Sequence, residues 1–202
     1  MQKQRLYNLL VFLLLTLLSA SGQLKSGDLI FVVEGEGAFS KAISATTAMK
    51  DSLKFVHVGI VEIVDQEPYV IEASPEEGVR EVSLMQFLNE SKNGYLVKRL
   101  SIDFPIEQTI RRAKSHLGED YDWWYLPDNG KMYCSELVYE SYLTPDGKRI
   151  FKSNPMNFRD GNGEMPQFWV ELFERIGSEV PEGLPGTNPN DLSKDELLID
   201  VE

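Results

Sequence analysis

The sequence predicts an α+β domain: a small, barrel-like antiparallel sheet with a helix starting at Cys134 packed against it. Two observations carry that reading. Strand-like runs of β-branched and aromatic residues are grouped between residues 29 and 100, and helical periodicity dominates from 105 onward. In addition, two of the runs are joined by a short polar turn, the mark of an antiparallel hairpin.

Taken in order, Ser26-Gly27-Asp28 is a turn into the strand Leu29-Ile30-Phe31-Val32-Val33. Glycines 35 and 37 break it, and a helix over 38–49 follows, with Phe39, Ala42 and Ile43 at helical spacing. The longest strand is 55–64. A four-residue connection, Asp65-Gln66-Glu67-Pro68, returns the chain along 69–73. Glu77-Gly78 turns into 79–82, Ser83 caps a short helix over 84–89, and 95–100 is a fifth strand. Pro105 opens a helix whose apolar stripe is Ile106, Ile110, Ala113 and Leu117, and Gly118 ends it. After the aromatic loop 121–125, the Cys134 helix runs to about Leu143 and stops before Pro145-Asp146-Gly147. A last helix covers 165–176. Residues 181–202 read as an acidic tail rich in Pro and Gly, with room for a helical turn after Asn190.

The first 22 residues stand apart. Lys3 and Arg5 precede a leucine-rich run, Leu9 to Leu18, and then Ser19-Ala20-Ser21-Gly22, the pattern of a secretory signal peptide with cleavage before Gln23. The apolar run falls short of the roughly 20 residues a membrane span needs; an uncleaved anchor is the competing reading. No cysteine lies nearby, so lipid attachment through an N-terminal cysteine is excluded. The expected organisation is therefore a signal peptide over 1–22, one domain over 23–180 and a tail over 181–202. The expected location is outside the cytoplasm, periplasmic or extracellular.

Composition narrows the function. The net charge is −12, and residues 1–22 hold two cations and no acid. An exported form is thus more acidic still. With no concentrated Lys and Arg, nucleic-acid binding and adsorption to an anionic membrane are both disfavoured. Two widely separated histidines and one cysteine do not give zinc-ligand spacing, so no metal is expected. Gly35-Glu36-Gly37 is too short and too acidic for a phosphate loop, and no Gly-x-Ser-x-Gly elbow is present. No organic cofactor is implied.

One cysteine in an exported chain can form no internal disulfide, and a free thiol there is a liability unless it is buried or used. Cys134 opens a helix, where the helix dipole favours a thiolate. A base must accompany it. His57 lies on the 55–64 strand, facing away from Val56 and Val58; His116 lies at a helix end, where a cation is favoured without any catalysis. His57 is the stronger candidate. An imidazole base needs a partner on its second nitrogen. A hairpin centred on Gln66 brings Glu72 opposite Ile60, one diagonal step from His57. The alternative for Glu72 is an outward, solvated carboxylate. The backbone N–H of Cys134 and the hydroxyl of Tyr121 or Tyr133 are candidate donors to an oxyanion.

The ordered set His57-Val58-Gly59-Ile60-Val61, Val70-Ile71-Glu72-Ala73, Tyr121-Asp122 and Tyr133-Cys134-Ser135-Glu136-Leu137-Val138 resembles the permuted papain-like amidases, the YiiX-like branch of the NlpC superfamily. In ordinary NlpC-like cysteine peptidases the cysteine helix precedes the histidine strand; here the order is reversed, as in the permuted branch. The opening Gly27-Asp28-Leu29-Ile30-Phe31 and the late Pro185-Gly186-Thr187-Asn188-Pro189 are also similar to that family. The resemblance implies Cys134 as nucleophile, His57 as base, Glu72 as third polar member and Tyr121 on the oxyanion side. It implies hydrolysis of an amide, with a peptide substrate of peptidoglycan origin. Related permuted groups carry out lipid-directed acyl chemistry with the same dyad. A non-catalytic envelope-binding module is the remaining alternative.

Overall fold

A computed structural model describes residues 24–48, 53–91 and 94–201. The segment 1–22, read above as a signal peptide, lies outside the described residues. Strands β1 (Leu29–Val33), β2 (Phe55–Val64), β3 (Glu67–Ser74), β4 (Gly78–Ser83), β5 (Tyr95–Leu100) and β8 (Leu198–Asp200) form one sheet in the order β4-β3-β2-β1-β5-β8. Every neighbouring pair is antiparallel. β6 (Asn154–Pro155) and β7 (Pro185–Gly186) make a separate short ladder. The helices are α1 (Ala38–Thr47), α2 (Leu84–Glu90), α3 (Ile106–Ser115), α4 (Cys134–Ser141), α5 (Gln167–Ile176) and α6 (Pro189–Leu192). The fold class is the α+β arrangement expected, with the Cys134 helix against the sheet.

The centre of the sheet is covered on both faces, which is why β1 reads as an unbroken apolar run. Leu29, Phe31, Val58, Ile60, Ile71 and Ala73 join the larger core with Leu137 and Val138 of α4 and Ala113 of α3. Ile30, Val32, Val61, Val70 and Val82 join a smaller core closed by Phe87 of α2. Alternate residues of one strand therefore serve two different cores. Burying side chains of this size stabilises by about 1.5–3 kcal/mol each relative to exposure.

Three expectations need correction. The β2–β3 connection is two residues, not four: Asp65 and Gln66 both adopt left-handed conformations, with φ of 50° and 71°. That is the twist a tight hairpin demands. It moves the register by one, so that Ile60 pairs with Ile71. Glu72 consequently shares the face of His57 rather than that of Ile60. The segment 181–202 is not an appended tail. Gly186 pairs with Asn154, Leu198 pairs with Leu100, and Asn190 is fully buried, so the domain has no boundary at 180. The strands β6, β7 and β8 escaped the sequence because two or three residues show no periodicity.

Gly27-Asp28 has a structural role. Fully buried Asp28 accepts from Arg99 Nε at 2.6 Å and Nη2 at 2.7 Å, fastening β1 to β5, and Gly27 carbonyl accepts from the Tyr142 hydroxyl at 2.7 Å.

Candidate active site

Cys134 is the first residue of α4. Tyr133 before it is extended (φ −97°, ψ 165°), and the Glu136 carboxylate reaches back to the Tyr133 N–H at 3.4 Å. The apolar residues Leu137 and Val138 press the helix onto the sheet and leave the first turn at the edge of a cleft. Cys134 is buried at 4 % exposure, with the positive end of the helix dipole at its position.

The β2–β3 ladder ends at Ile60↔Ile71, while β2 continues to Phe55 beside β1 and β3 continues to Ser74 beside β4. His57 and Glu72 lie past that end, on facing strands. Their side chains bridge the pair: His57 Nε2 and Glu72 Oε2 are 2.5 Å apart. With Nε2 taken, Nδ1 is the ring nitrogen left over, and Cys134 is close enough to act on the charge of His57. The imidazole stacks on Phe87, centroids 5.8 Å apart.

Behind Glu72 stands Arg80, its register partner on β4. Arg80 donates to Glu72 Oε1 from Nε at 3.0 Å and from Nη2 at 2.7 Å, and it also meets Glu77 and Glu90. One row thus runs Cys134, His57, Glu72, Arg80, with members from α4, β2, β3 and β4. The sequence did not single out Arg80. The signal was present: the β3–β4 turn centred on Glu76 pairs 72 with 80.

The charges in this row support one another. Burial works against a charged His57, but the neighbouring Cys134 and Glu72 outweigh burial and push the imidazole up to about 10. Burial likewise opposes an ionised Glu72, yet His57 and Arg80 hold its carboxyl below the usual range. An imidazolium beside sulfur is the state a thiol nucleophile needs.

Tyr121 is buried and lines the same cleft as Cys134. Burial, then the neighbouring Tyr125 and Cys134, push its hydroxyl well above the ordinary tyrosine value, so it keeps its proton and can donate. Asp122 builds this loop by accepting from Trp124 N, Leu126 N and Asn129 Nδ2 at 2.8–3.0 Å. Tyr133 is instead tied to the C-terminal segment, its hydroxyl accepting from Thr187 N at 3.1 Å. His116 caps α3 and pairs with Glu119 at 3.1 Å, as its helix-end position suggested.

Residues 23–201 match the family model described as permuted papain-like amidase enzyme, YaeF/YiiX, C92 family. The chain belongs to this family. Over 177 residues the chain is 30% identical to the uncharacterized protein YiiX of Escherichia coli K12, covering 86% of this chain and 83% of that one. It is also similar to the crystal structure of YiiX from Escherichia coli O157:H7, a protein described there as a metalloprotein. That match has a TM-score of 0.73 at 27% identity and covers 89% of this chain and 97% of the other.

The cleft beside Cys134 measures about 540 Å³ counted to its open mouth. Ile43, Met156, Phe158 and Trp169 give it apolar lining, and Gly186, Thr187 and Asn188 line it as well. No charged side chain is among the described residues that line it, in a chain with 32 acids and 20 bases. Among the described residues no helix is long and apolar enough to cross a membrane, and no group of three or more His, Cys, Asp or Glu is placed to hold a metal ion.

Proposed function

We propose that this permuted amidase is an exported cysteine hydrolase that cleaves an amide bond in peptides of cell-wall origin. The observation that carries the reading is His57, held at Nε2 by Glu72 at 2.5 Å and electrostatically coupled to Cys134. His57 takes the Cys134 proton, and the thiolate attacks the carbonyl carbon. Cys134 N–H and the Tyr121 hydroxyl donate to the developing oxyanion. The C–N bond breaks as His57 returns the proton to the leaving amine. Water, deprotonated by His57, then hydrolyses the thioester. Glu72 accepts from Nε2–H and fixes the tautomer throughout. The amino-terminal pattern of residues 1–22 and the start of the family match at residue 23 support export.

The solved relative's description raises the question of a metal here. The dyad does not fit one: Glu72 spends one oxygen on Arg80 and the other on His57, which leaves sulfur and a single nitrogen as donors. No step of the reaction above is routed through an ion.

Incubation with muropeptides followed by intact-mass measurement tests the proposal. A peptidyl adduct on Cys134, absent in Cys134→Ala together with all hydrolysis, is the expected result; full hydrolysis by Cys134→Ala ends it. The apolar, uncharged cleft favours a second reading, lipid-directed acyl transfer with the same dyad. A fatty-acyl adduct in the same measurement would select it.

A further inference from the structure

The C-terminal segment 185–190 bonds to close sequence neighbours of both members of the dyad. Next to the cysteine, Thr187 N donates to the Tyr133 hydroxyl at 3.1 Å, and Thr187 Oγ1 lies 3.0 Å from Ser135 Oγ. These are the residues immediately before and after Cys134, and both are buried. The backbone of Gly186 comes so close that an added Cβ would sit 3.0 Å from the Tyr133 hydroxyl and 2.5 Å from Met156. A larger residue there would have to displace the Met156 side chain and shift the Tyr133 hydroxyl.

Next to the histidine, Asn190 is fully buried and its carboxamide closes on Phe55. Asn190 Oδ1 accepts from Phe55 N at 2.8 Å, and Nδ2 donates to Phe55 O at 2.7 Å and to Thr47 Oγ1 at 2.8 Å. The N–H and C=O of a strand residue point to one edge. β1 occupies one edge of β2, and the β3 ladder has ended at Ile60. The Asn190 side chain therefore takes the place of the missing strand two residues before His57.

We propose that segment 185–190 is a strap that holds Cys134 and His57 in register, with Thr187 and Asn190 as its positioning residues. This rests on the dyad reading given above. A helix start and a strand start far apart in sequence have no short covalent route to each other, and the strap supplies a non-covalent one made of four hydrogen bonds, two to the neighbours of Cys134 and two to Phe55, with a further bond from Asn190 to Thr47 of α1. The purpose of such bonds is angular: a displacement of about 1 Å in a reacting pair costs on the order of a hundredfold in rate.

The test reads the dyad rather than substrate binding, because Thr187 also lines the cleft. In the full chain, the His57 titration is followed by NMR and the Cys134 alkylation rate is measured at pH 6 with iodoacetamide. Thr187→Val, Thr187→Ser, Asn190→Ala and His57→Ala are compared, with circular dichroism confirming folding. Folded Thr187→Val and Asn190→Ala are expected to alkylate about tenfold more slowly than wild type. Their His57 titration should fall toward the ordinary imidazole range, and Thr187→Ser should restore both readings. Folded variants that keep the wild-type titration and rate, losing only thermal stability, overturn the strap. If Asn190→Ala does not fold, Thr187→Val decides alone, since valine preserves its volume. A wild type whose alkylation ignores His57→Ala overturns the dyad, and the strap with it; a His57-dependent wild type with indifferent strap variants overturns the strap only.

Discussion

Arg80 holds Glu72 by one oxygen, through donors at 3.0 and 2.7 Å, and so leaves the other oxygen free to meet His57. Two charge-assisted bonds on a carboxylate this deeply buried set its position as well as its charge. Removing Arg80 leaves that buried carboxylate without one of the two cations beside it.

Arg80→Leu is therefore expected to destabilise by about 2–3 kcal/mol at neutral pH. The pH dependence carries the more specific signature. Glu72 is held below the ordinary range, so it contributes stability that is present above the unfolded carboxyl value and lost as pH falls through the folded one. With Arg80 gone, that loss should begin at higher pH. Urea unfolding of wild type and variant from pH 3 to 7 checks it; parallel curves would deny Arg80 this role.

His57 gives the opposite limb. Its folded value is raised to about 10 from an ordinary 6.5. The stability it brings is complete below about 6.5 and is lost as pH rises through about 10. Two of the causes that raise it come from Cys134. Cys134→Ala should lower the His57 titration measured by NMR, and Glu72→Gln should lower it independently. An unchanged titration in Cys134→Ala would mean that sulfur and imidazole do not interact.

Much of this site was legible because strands and helix starts leave local marks. Cys134 at a helix opening and His57 among β-branched residues could be read from a few neighbours each. Glu72 was found through hairpin symmetry, but with a register one residue off. That error would have put it on the wrong face, since side chains alternate with a period of two. The strap was illegible for a different reason. Thr187 and Asn190 act through contacts with residues 52 and more positions away, and a segment rich in Pro, Gly and Asn shows no periodicity to reveal what it packs on. Arg80 fell between these cases: its pairing followed from a turn, but its importance depended on Glu72 facing inward.

Glu136 offers a prediction away from the dyad. Burial first, and then the neighbouring Asp122, push its carboxyl up to about 8. In the unfolded chain it ionises near 4.5, so the unfolded state releases this proton first. Stability should fall between about pH 4.5 and 8 and level off above. At 1.36 kcal/mol per unit the loss from pH 5 to 8 is on the order of 3 kcal/mol. Glu136→Gln keeps an acceptor for Tyr133 N–H and removes the titration, so its unfolding free energy should vary less over that range. Equal slopes for the two proteins would show Glu136 ionised at neutral pH.

The β2–β3 turn gives the last prediction, and it tests the corrected register directly. Asp65 and Gln66 both sit at positive φ, a conformation that costs a residue with a side chain roughly 1–2 kcal/mol and costs glycine little. A two-residue turn of this hand favours Asn-Gly or Asp-Gly. Gln66→Gly supplies the glycine of the Asp-Gly pair, behind an aspartate already in place. Glycine also adds freedom to the unfolded chain, which offsets part of the gain. The net expectation is a stabilisation of about 0.5–1 kcal/mol, read as a higher urea midpoint at unchanged slope. In the four-residue connection first expected, Gln66 has no need of a left-handed conformation, and the same substitution would destabilise by adding chain entropy alone. The sign of the shift therefore separates the two registers, and with them the face on which Glu72 emerges.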